Sequence, residues 1–434
     1  MPFAGGLRDL RVKKKMTIDL PKLDPDFIPY GRHVIDSDDC DAVLAALNSA
    51  NLTQGKAVDL FERQLNAICG SLHACAVANG TAALHLAVKS LNPAPGSYAI
   101  TTPITFAATS NALLYNGLTP IFTEVEESTG LMSMDSCESI LKDLASRNKK
   151  VSVVVPVHFS GAVCDMERLW DLSATWGFKV VEDASHALGA RYAGGDPVGS
   201  DNRSAFTTIS FHPVKHIATG EGGVILSNNS QLQDSVMQLR SHGILRDPAR
   251  FVNRDEAFDK KTGEMNPWYY EMQDLGFNYR MPDINAALGY SQTVKFDRFL
   301  TRRHEIARSY DEAFKNNPLL LPLKPGTGGA SAYHLYVVLL KDETLWKQKA
   351  GLMNLLKSRG IGTQVHYIPV PLLPYYAQLG HTVPASAMRF YRKCLSIPMY
   401  SGMSDQQVQK VVYELNRCMN EILADTPANG SPRA

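Results

Sequence analysis

Two runs of the chain, VSVVVPV at 151–157 and KVVED at 179–183, are nearly continuous in apolar residues. Strands that read this way are buried on both faces, as happens where helices cover a parallel sheet on each side. The surrounding sequence agrees. Between residues 71 and 228, short β-rich runs alternate with helical patterns. Strands are predicted at 73–78, 98–101, 119–124, 151–157 and 179–182, and helices at 81–89, 106–115 and 166–176. This alternation means βα units and an α/β fold with a mostly parallel central sheet.

At 434 residues the chain is too long for one small core. A helical pattern runs from 283 to 314 and stops before Pro318. A turn region rich in Pro and Gly (322–331) leads into a second unit. There a strand is predicted at 333–340, a helix at 345–358, a strand at 361–365 and a terminal helix at 405–423. An early helix at 35–48, with Asp36 as its cap, is expected to pack with this unit. The expected division is an N-terminal extension (1–20), a segment packing with the small domain (21–65), a large domain (66–317), a small α+β C-terminal domain (318–425) and a frayed tail (426–434).

Charge removes one class of function. Lys and Arg total 44 against 43 Asp and Glu, whereas a nucleic-acid binder needs a basic surplus to neutralise phosphates. No stretch approaches the roughly 18–20 apolar residues that span a bilayer. Residues 1–15 carry Arg8, Arg11 and three consecutive lysines but no apolar stretch after them, so no signal peptide is expected, and Met16 is a candidate start. The cysteines are odd in number, scattered and without a C-x-x-C pair. That pattern points to a reducing, cytoplasmic setting and to no zinc or other metal site.

Four pieces carry chemistry. In SFHPVKHIATGEGG, Lys215 lies between a strand end at Ser210 and a glycine turn. An isolated lysine there is ordinarily a surface residue. In a partly dry cleft, its amine loses its proton readily and can form a Schiff base. In VVEDASHALGA, Asp183 ends a buried strand, where ligands of open α/β sheets sit. Such a carboxylate either caps a turn or stabilises a protonated pyridine nitrogen. His186 follows, either facing a ring or simply as a bonded core histidine. Asn79-Gly80-Thr81 opens a helix directly after a strand and makes an anion site, or a plain N-cap. Phe106, after TTPIT, either stacks on a cofactor ring or is core. Together these are the parts of a pyridoxal phosphate site.

With these motifs, and with IPYGRHVID, NLTQGKAVDLFE, VPVHFSG, GFNYRMPDINAALG and GIGTQVHYIPV, the chain from Ile28 to about Leu423 resembles the DegT/DnrJ/EryC1/StrS sugar aminotransferases. The resemblance implies a fold type I transferase that uses pyridoxal 5'-phosphate. It makes Lys215 the residue that binds the cofactor covalently and shuttles the proton, and Asp183 the partner of the pyridine nitrogen. It places Thr81, Ala82 and Ser210 on the phosphate, Phe106 on the ring and His186 beside it. Asn278 would reach the phosphate of a neighbouring subunit, so a homodimer with shared active sites is implied. Tyr30, the loop Leu52, Thr53, Gln54 and Gly55, and the stretch His366, Tyr367, Ile368 and Pro369 would line a nucleotide-sugar site.

Within the family, the strings resemble the branch serving pseudaminic acid biosynthesis. That branch implies transfer from L-glutamate to the 4-keto group of a UDP-linked 4-keto-6-deoxy-N-acetylhexosamine. Pro371 departs from the His or other polar residue expected in this stretch. Three alternatives remain open: a dTDP- or GDP-linked keto sugar or a cyclitol as acceptor, a dehydratase (which would carry histidine in place of Lys215), and a non-catalytic protein on this scaffold.

Overall fold

A computed structural model describes residues 24–425. The expected extension at 1–20 and the tail at 426–434 lie outside the described residues. The centre is a seven-stranded sheet of β1 (His73–Val77), β2 (Tyr98–Thr101), β3 (Thr119–Phe122), β4 (Val151–Val155), β5 (Lys179–Asp183), β6 (Phe206–Ser210) and β7 (Gly223–Ser227). The strand order is β1-β7-β6-β5-β4-β2-β3. All strands run parallel except β7, which is antiparallel to both of its neighbours. A direct return from β6 to β7 needs no crossover helix. The connecting loop, 211–222, therefore lies across the sheet edge where the parallel strands end.

The apolar runs are buried on both faces as expected. Val153, Val155 and Val181 pack with Leu84, Ala87 and Leu113 of α3 (Gly80–Ser90) and α4 (Ala108–Tyr115). Val151, Val154 and Val180 face the other way, towards Leu169 and Trp170 of Met166–Trp176. Val151 and Val154 share a face because the β2–β4 register shifts between Tyr98 and Ala99. A shift of one residue reverses which side chains point to which face.

A third core lies under a small antiparallel sheet of β8 (Leu320–Pro322), β9 (Tyr336–Leu340) and β10 (Cys394–Ile397). Helix α6 (Phe296–Phe314) joins this core to the one that holds Leu169 and Trp170. Phe296 and Phe299 belong to one, and Ile306, Tyr310 and Phe314 to the other. No helix among the described residues is long and apolar enough to cross a membrane.

Several expected elements differ. The helix predicted over 283–314 is two, α5 (Asp283–Val294) and α6, meeting at Lys295. The Lys295 ammonium bonds Asp36 at 2.6 Å and Asp39 at 2.7 Å. Both acids belong to the capping box of α1 (Ser37–Leu47). Asp39 is fully buried and also accepts from Ser291 Oγ and Gln292 Nε2. This network holds α1 on α5, so α1 does not pack with the small sheet as expected. Helix α2 (Lys56–Cys69) likewise buries Phe61 and Leu65 in the core that holds Leu169 and Trp170. From the early segment, Ile28 is what joins the core under the small sheet.

The predicted strand at 361–365 is no ladder. Its two ends bridge different partners, Ile361 with Ile28 and Gln364 with Ser396. The strand predicted from residue 333 begins only at Tyr336. Residue 335 is held elsewhere, its backbone accepting from Ser160 Oγ at 2.8 Å. The helix predicted at 345–358 is interrupted at Gln348.

Truncating Asp39 to alanine would leave the Lys295 ammonium and the Gln292 amide short of an acceptor in a buried place. The expected cost is about 3 kcal/mol of folding stability, read as a lower urea midpoint at unchanged slope.

Candidate active site

Three of the parallel strands, β1, β5 and β6, end at one sheet edge, and each end delivers a polar group. After β1, Asn79 caps α3, accepting from the Ala82 N–H at 2.8 Å. The first intrahelical bond runs from the Ala83 N–H to the Asn79 carbonyl. The N–H groups of Gly80 and Thr81 precede it at a helix start that favours anions. Ala82, expected on a phosphate, gives its N–H to the Asn79 cap at this same helix start. Ser210 closes the other side of this cradle. A Cβ on Gly80 would stand 2.8 Å from Ser210 Cβ, and one on Gly223 would stand 2.5 Å from the Asn79 carbonyl oxygen. Glycine at both positions lets helix start, strand end and loop approach this closely.

Asp183 ends β5 and is 4% exposed. Its Oδ2 accepts from Thr109 Oγ1 at 2.7 Å, and its Oδ1 accepts from the Ser185 N–H at 3.1 Å. Thr109 is in turn 2.7 Å from Thr105 Oγ1. Two oriented donors thus fix the carboxylate. Sequence reading missed Thr109, because nothing near it points to a partner 74 residues away.

Lys215 sits partly buried in the β6–β7 loop. Its N–H donates to the His212 carbonyl, and Thr219 and Phe211 close the loop behind it. Asn285, on α5, holds the glycine turn by donating to the Thr219 and Glu221 carbonyls. Burial pulls the Lys215 ammonium down to about 8, with Asp183 opposing and Arg303 adding to the pull. Near neutral pH about a tenth of this amine is therefore free base, far more than for an ordinary lysine, as a nucleophile or proton carrier requires.

Neutral aromatic groups surround it. His186 is buried, and its Nδ1 accepts from the Ser160 N–H at 3.3 Å. Burial first, then the charge on Lys215 and the nearby His366 and His216, hold His186 far below its ordinary pKa. A neutral ring accepting at Nδ1 carries its proton at Nε2, 3.0 Å from Tyr367 Oη. Tyr367 therefore accepts that bond, and its own proton is available for another acceptor. The two rings stack at 23°, with Phe159 and Phe106 nearby. Phe106 itself is 64% exposed.

The expected sugar-site residues are brought together only in part. The Tyr30 and His366 rings lie 5.4 Å apart, and a Cβ on Gly31 would touch Val214 in the lysine loop. His366 bonds Ser396 Oγ, and Val370 donates to the Pro103 carbonyl, so the 366–370 stretch closes over the turn that carries Phe106. Ile368 is exposed and Pro369 buried. Leu52 and Thr53 lie against Asp283 and Pro282, and the Gly55 N–H donates to Asp283, with Gln54 at positive φ between them. Asn278 is exposed on a segment whose neighbours Tyr279 and Arg280 are pinned to Ala78 and Val77.

Comparison with known proteins gives concordant matches. Residues 33–416 match the DegT/DnrJ/EryC1/StrS aminotransferase family. The chain is 35% identical over 390 residues to the spore coat polysaccharide biosynthesis protein SpsC of Bacillus subtilis, covering 89% of this chain and 95% of that protein. It is also 35% identical over 378 residues to the UDP-4-amino-4,6-dideoxy-N-acetyl-beta-L-altrosamine transaminase of Campylobacter jejuni, covering 87% and 93%. Among solved structures it is similar to PseC of Helicobacter pylori, an aminotransferase involved in the biosynthesis of pseudoaminic acid. That match has a TM-score of 0.81 at 32% identity, covering 91% of this chain and all of the other.

Proposed function

This chain belongs to the DegT/DnrJ/EryC1/StrS aminotransferase family, and from that premise we propose the reaction it performs. It moves an amino group from L-glutamate to the 4-keto position of a UDP-linked 4-keto-6-deoxy-N-acetylhexosamine, giving UDP-4-amino-4,6-dideoxy-N-acetyl-beta-L-altrosamine. The carrying observation is the pairing of Lys215, its amine pulled to about 8, with a buried, doubly bonded Asp183 beside a helix-start anion cradle. Relatives named for this transaminase support the choice of sugar.

The residues fit pyridoxal 5'-phosphate: an amine for its aldehyde, a carboxylate for its ring nitrogen, and glycine-cleared N–H groups for its phosphate. When bound, the cofactor supplies the aldehyde and an electron-withdrawing ring. Lys215 would hold it covalently, and its free amine would carry the proton at Nζ during the transfer. Asp183, oriented by Thr109, would keep the ring nitrogen protonated. Gly80, Thr81 and Ser210 bind the phosphate. His186 stays neutral and fixes Tyr367, and Phe106 covers the ring. Tyr30, residues 52–55 and residues 366–369 line the sugar side. Asn278 faces outward to complete the site of a second copy in a cytoplasmic homodimer.

A second reading, another nucleotide-linked keto sugar as acceptor, is favoured by the equal identity to the spore coat protein. One experiment separates the two. Purified enzyme is incubated with L-glutamate and UDP-, dTDP- or GDP-linked 4-keto sugars, and products are identified by mass and NMR at the new amine carbon. The UDP-linked N-acetyl sugar is expected to turn over fastest. Preference for another nucleotide selects the second reading, and no turnover with any keto sugar overturns both.

A further inference from the structure

Helix α6 brings a positive charge beneath the site with no negative partner. Arg303 is 1% exposed. Its Nη1 donates to the carbonyls of Tyr333 at 3.2 Å, His334 at 3.0 Å and Met399 at 3.2 Å. Its Nε has no partner. No carboxylate stands within ion-pair distance of it among the described residues. A guanidinium buried on uncharged partners is costly, and an apolar side chain of similar size would serve packing better.

The charge sits under a continuous layer of rings. His334, whose carbonyl holds Arg303, has its ring 4.4 Å from His186 and 5.4 Å from His216, the neighbour of Lys215. His216 donates from Nε2 to the Ala332 carbonyl. The His334 Nδ1 is buried and unbonded.

We propose that Arg303 is a positioning residue: its uncompensated buried charge, anchored on the carbonyls of Tyr333, His334 and Met399, favours the free-base form of the Lys215 amine over its ammonium. The proposal rests on the reading of Lys215 as the amine that takes the cofactor. The groups facing Lys215 fix the sign of the effect. Asp183 is the one anion and favours the ammonium. His186, His216, His334 and His366 are held neutral, each first by burial. Tyr367 and Tyr30 are half-buried phenols pushed above their ordinary range, each first by burial. Arg303 is the cation that opposes Asp183, so removing its charge raises the pH at which Lys215 loses its proton.

The test labels Lys215 directly in the full-length chain freed of cofactor. Acetic anhydride modification is followed against pH by peptide mass spectrometry, with exposed Lys149 as internal reference. The native chain is expected to show a midpoint near 8. Arg303→Met is expected to slow Lys215 labelling at pH 7 about tenfold, one pH unit of midpoint. Arg303→Lys, which keeps the charge but not the forked donor, is expected to keep the native midpoint. If Arg303→Met does not fold, Arg303→Gln takes its place. A native midpoint in the folded neutral variant overturns the proposal, as does an Arg303→Lys shift equal to that of the neutral variant. If instead Lys215 is not the cofactor's amine, a Lys215→Ala enzyme retains activity while the labelling shift stands, so the two failures are distinct.

Discussion

Replacement of Lys215 by alanine is expected to abolish transamination, lowering the rate by at least about 10⁴-fold. The estimate follows from removing the nucleophile and the general base in one side chain, two functions that act as a unit. The substituted chain should still fold, because Lys215 lies in a loop closed by backbone bonds from Phe211, Lys215 and Thr219 that alanine preserves. It should also still bind pyridoxal phosphate, since the cradle of Gly80, Thr81 and Ser210 is untouched. Borohydride treatment should then fix no cofactor to the peptide 206–228, whereas the native chain should carry it there. Native activity, or a cofactor fixed to another lysine, would remove Lys215 from the chemistry.

Asp183→Asn is expected to have the second largest effect, about a 10³-fold loss of kcat, of the order seen when one preorganised electrostatic contact to developing charge is removed. The change is nearly isosteric. It exchanges the anion proposed to keep the cofactor ring protonated for a neutral amide, in a place where Thr109 Oγ1 and the Ser185 N–H already donate. Single-turnover absorbance with L-glutamate should show the first half-reaction slowed by the same factor, while far-UV circular dichroism stays native. A loss below tenfold would reduce Asp183 to a turn cap.

These two residues were legible because their signals are local. Asp183 ends an apolar run, and Lys215 sits between a strand and a glycine turn, so strand-end placement follows from pattern alone. Asn79-Gly80-Thr81 is legible for the same reason, as strand, glycine and helix start fall within a few residues. What supports them was not legible. Thr109 reaches Asp183 across 74 residues and Tyr367 reaches His186 across 181. Arg303 reads as one more charged position on an amphipathic helix. The break at Lys295 escaped for a related reason: the residues around it are sound helix formers, and the partners on α1 that mark the break lie more than 250 residues earlier. The strand predicted at 361–365 failed because extended backbone with two short partners looks, in pattern, like a strand with one.

The bridge between Ile28 and Ile361, with the bond from the Met399 N–H to the Tyr30 carbonyl, bears on the order in which the molecule is made. A ribosome that has released residues 24–300 has delivered every strand of the central sheet, together with Asp183 and Lys215. The partners of Ile28 and Tyr30 do not yet exist. Residues 28–30 must therefore wait for residues 361–399, and the long loop they close is the slow kind of contact. On this topology the sheet edge that carries Asp183 and Lys215 can form during synthesis, well before the segment around Tyr30 is closed by the residues that follow position 360.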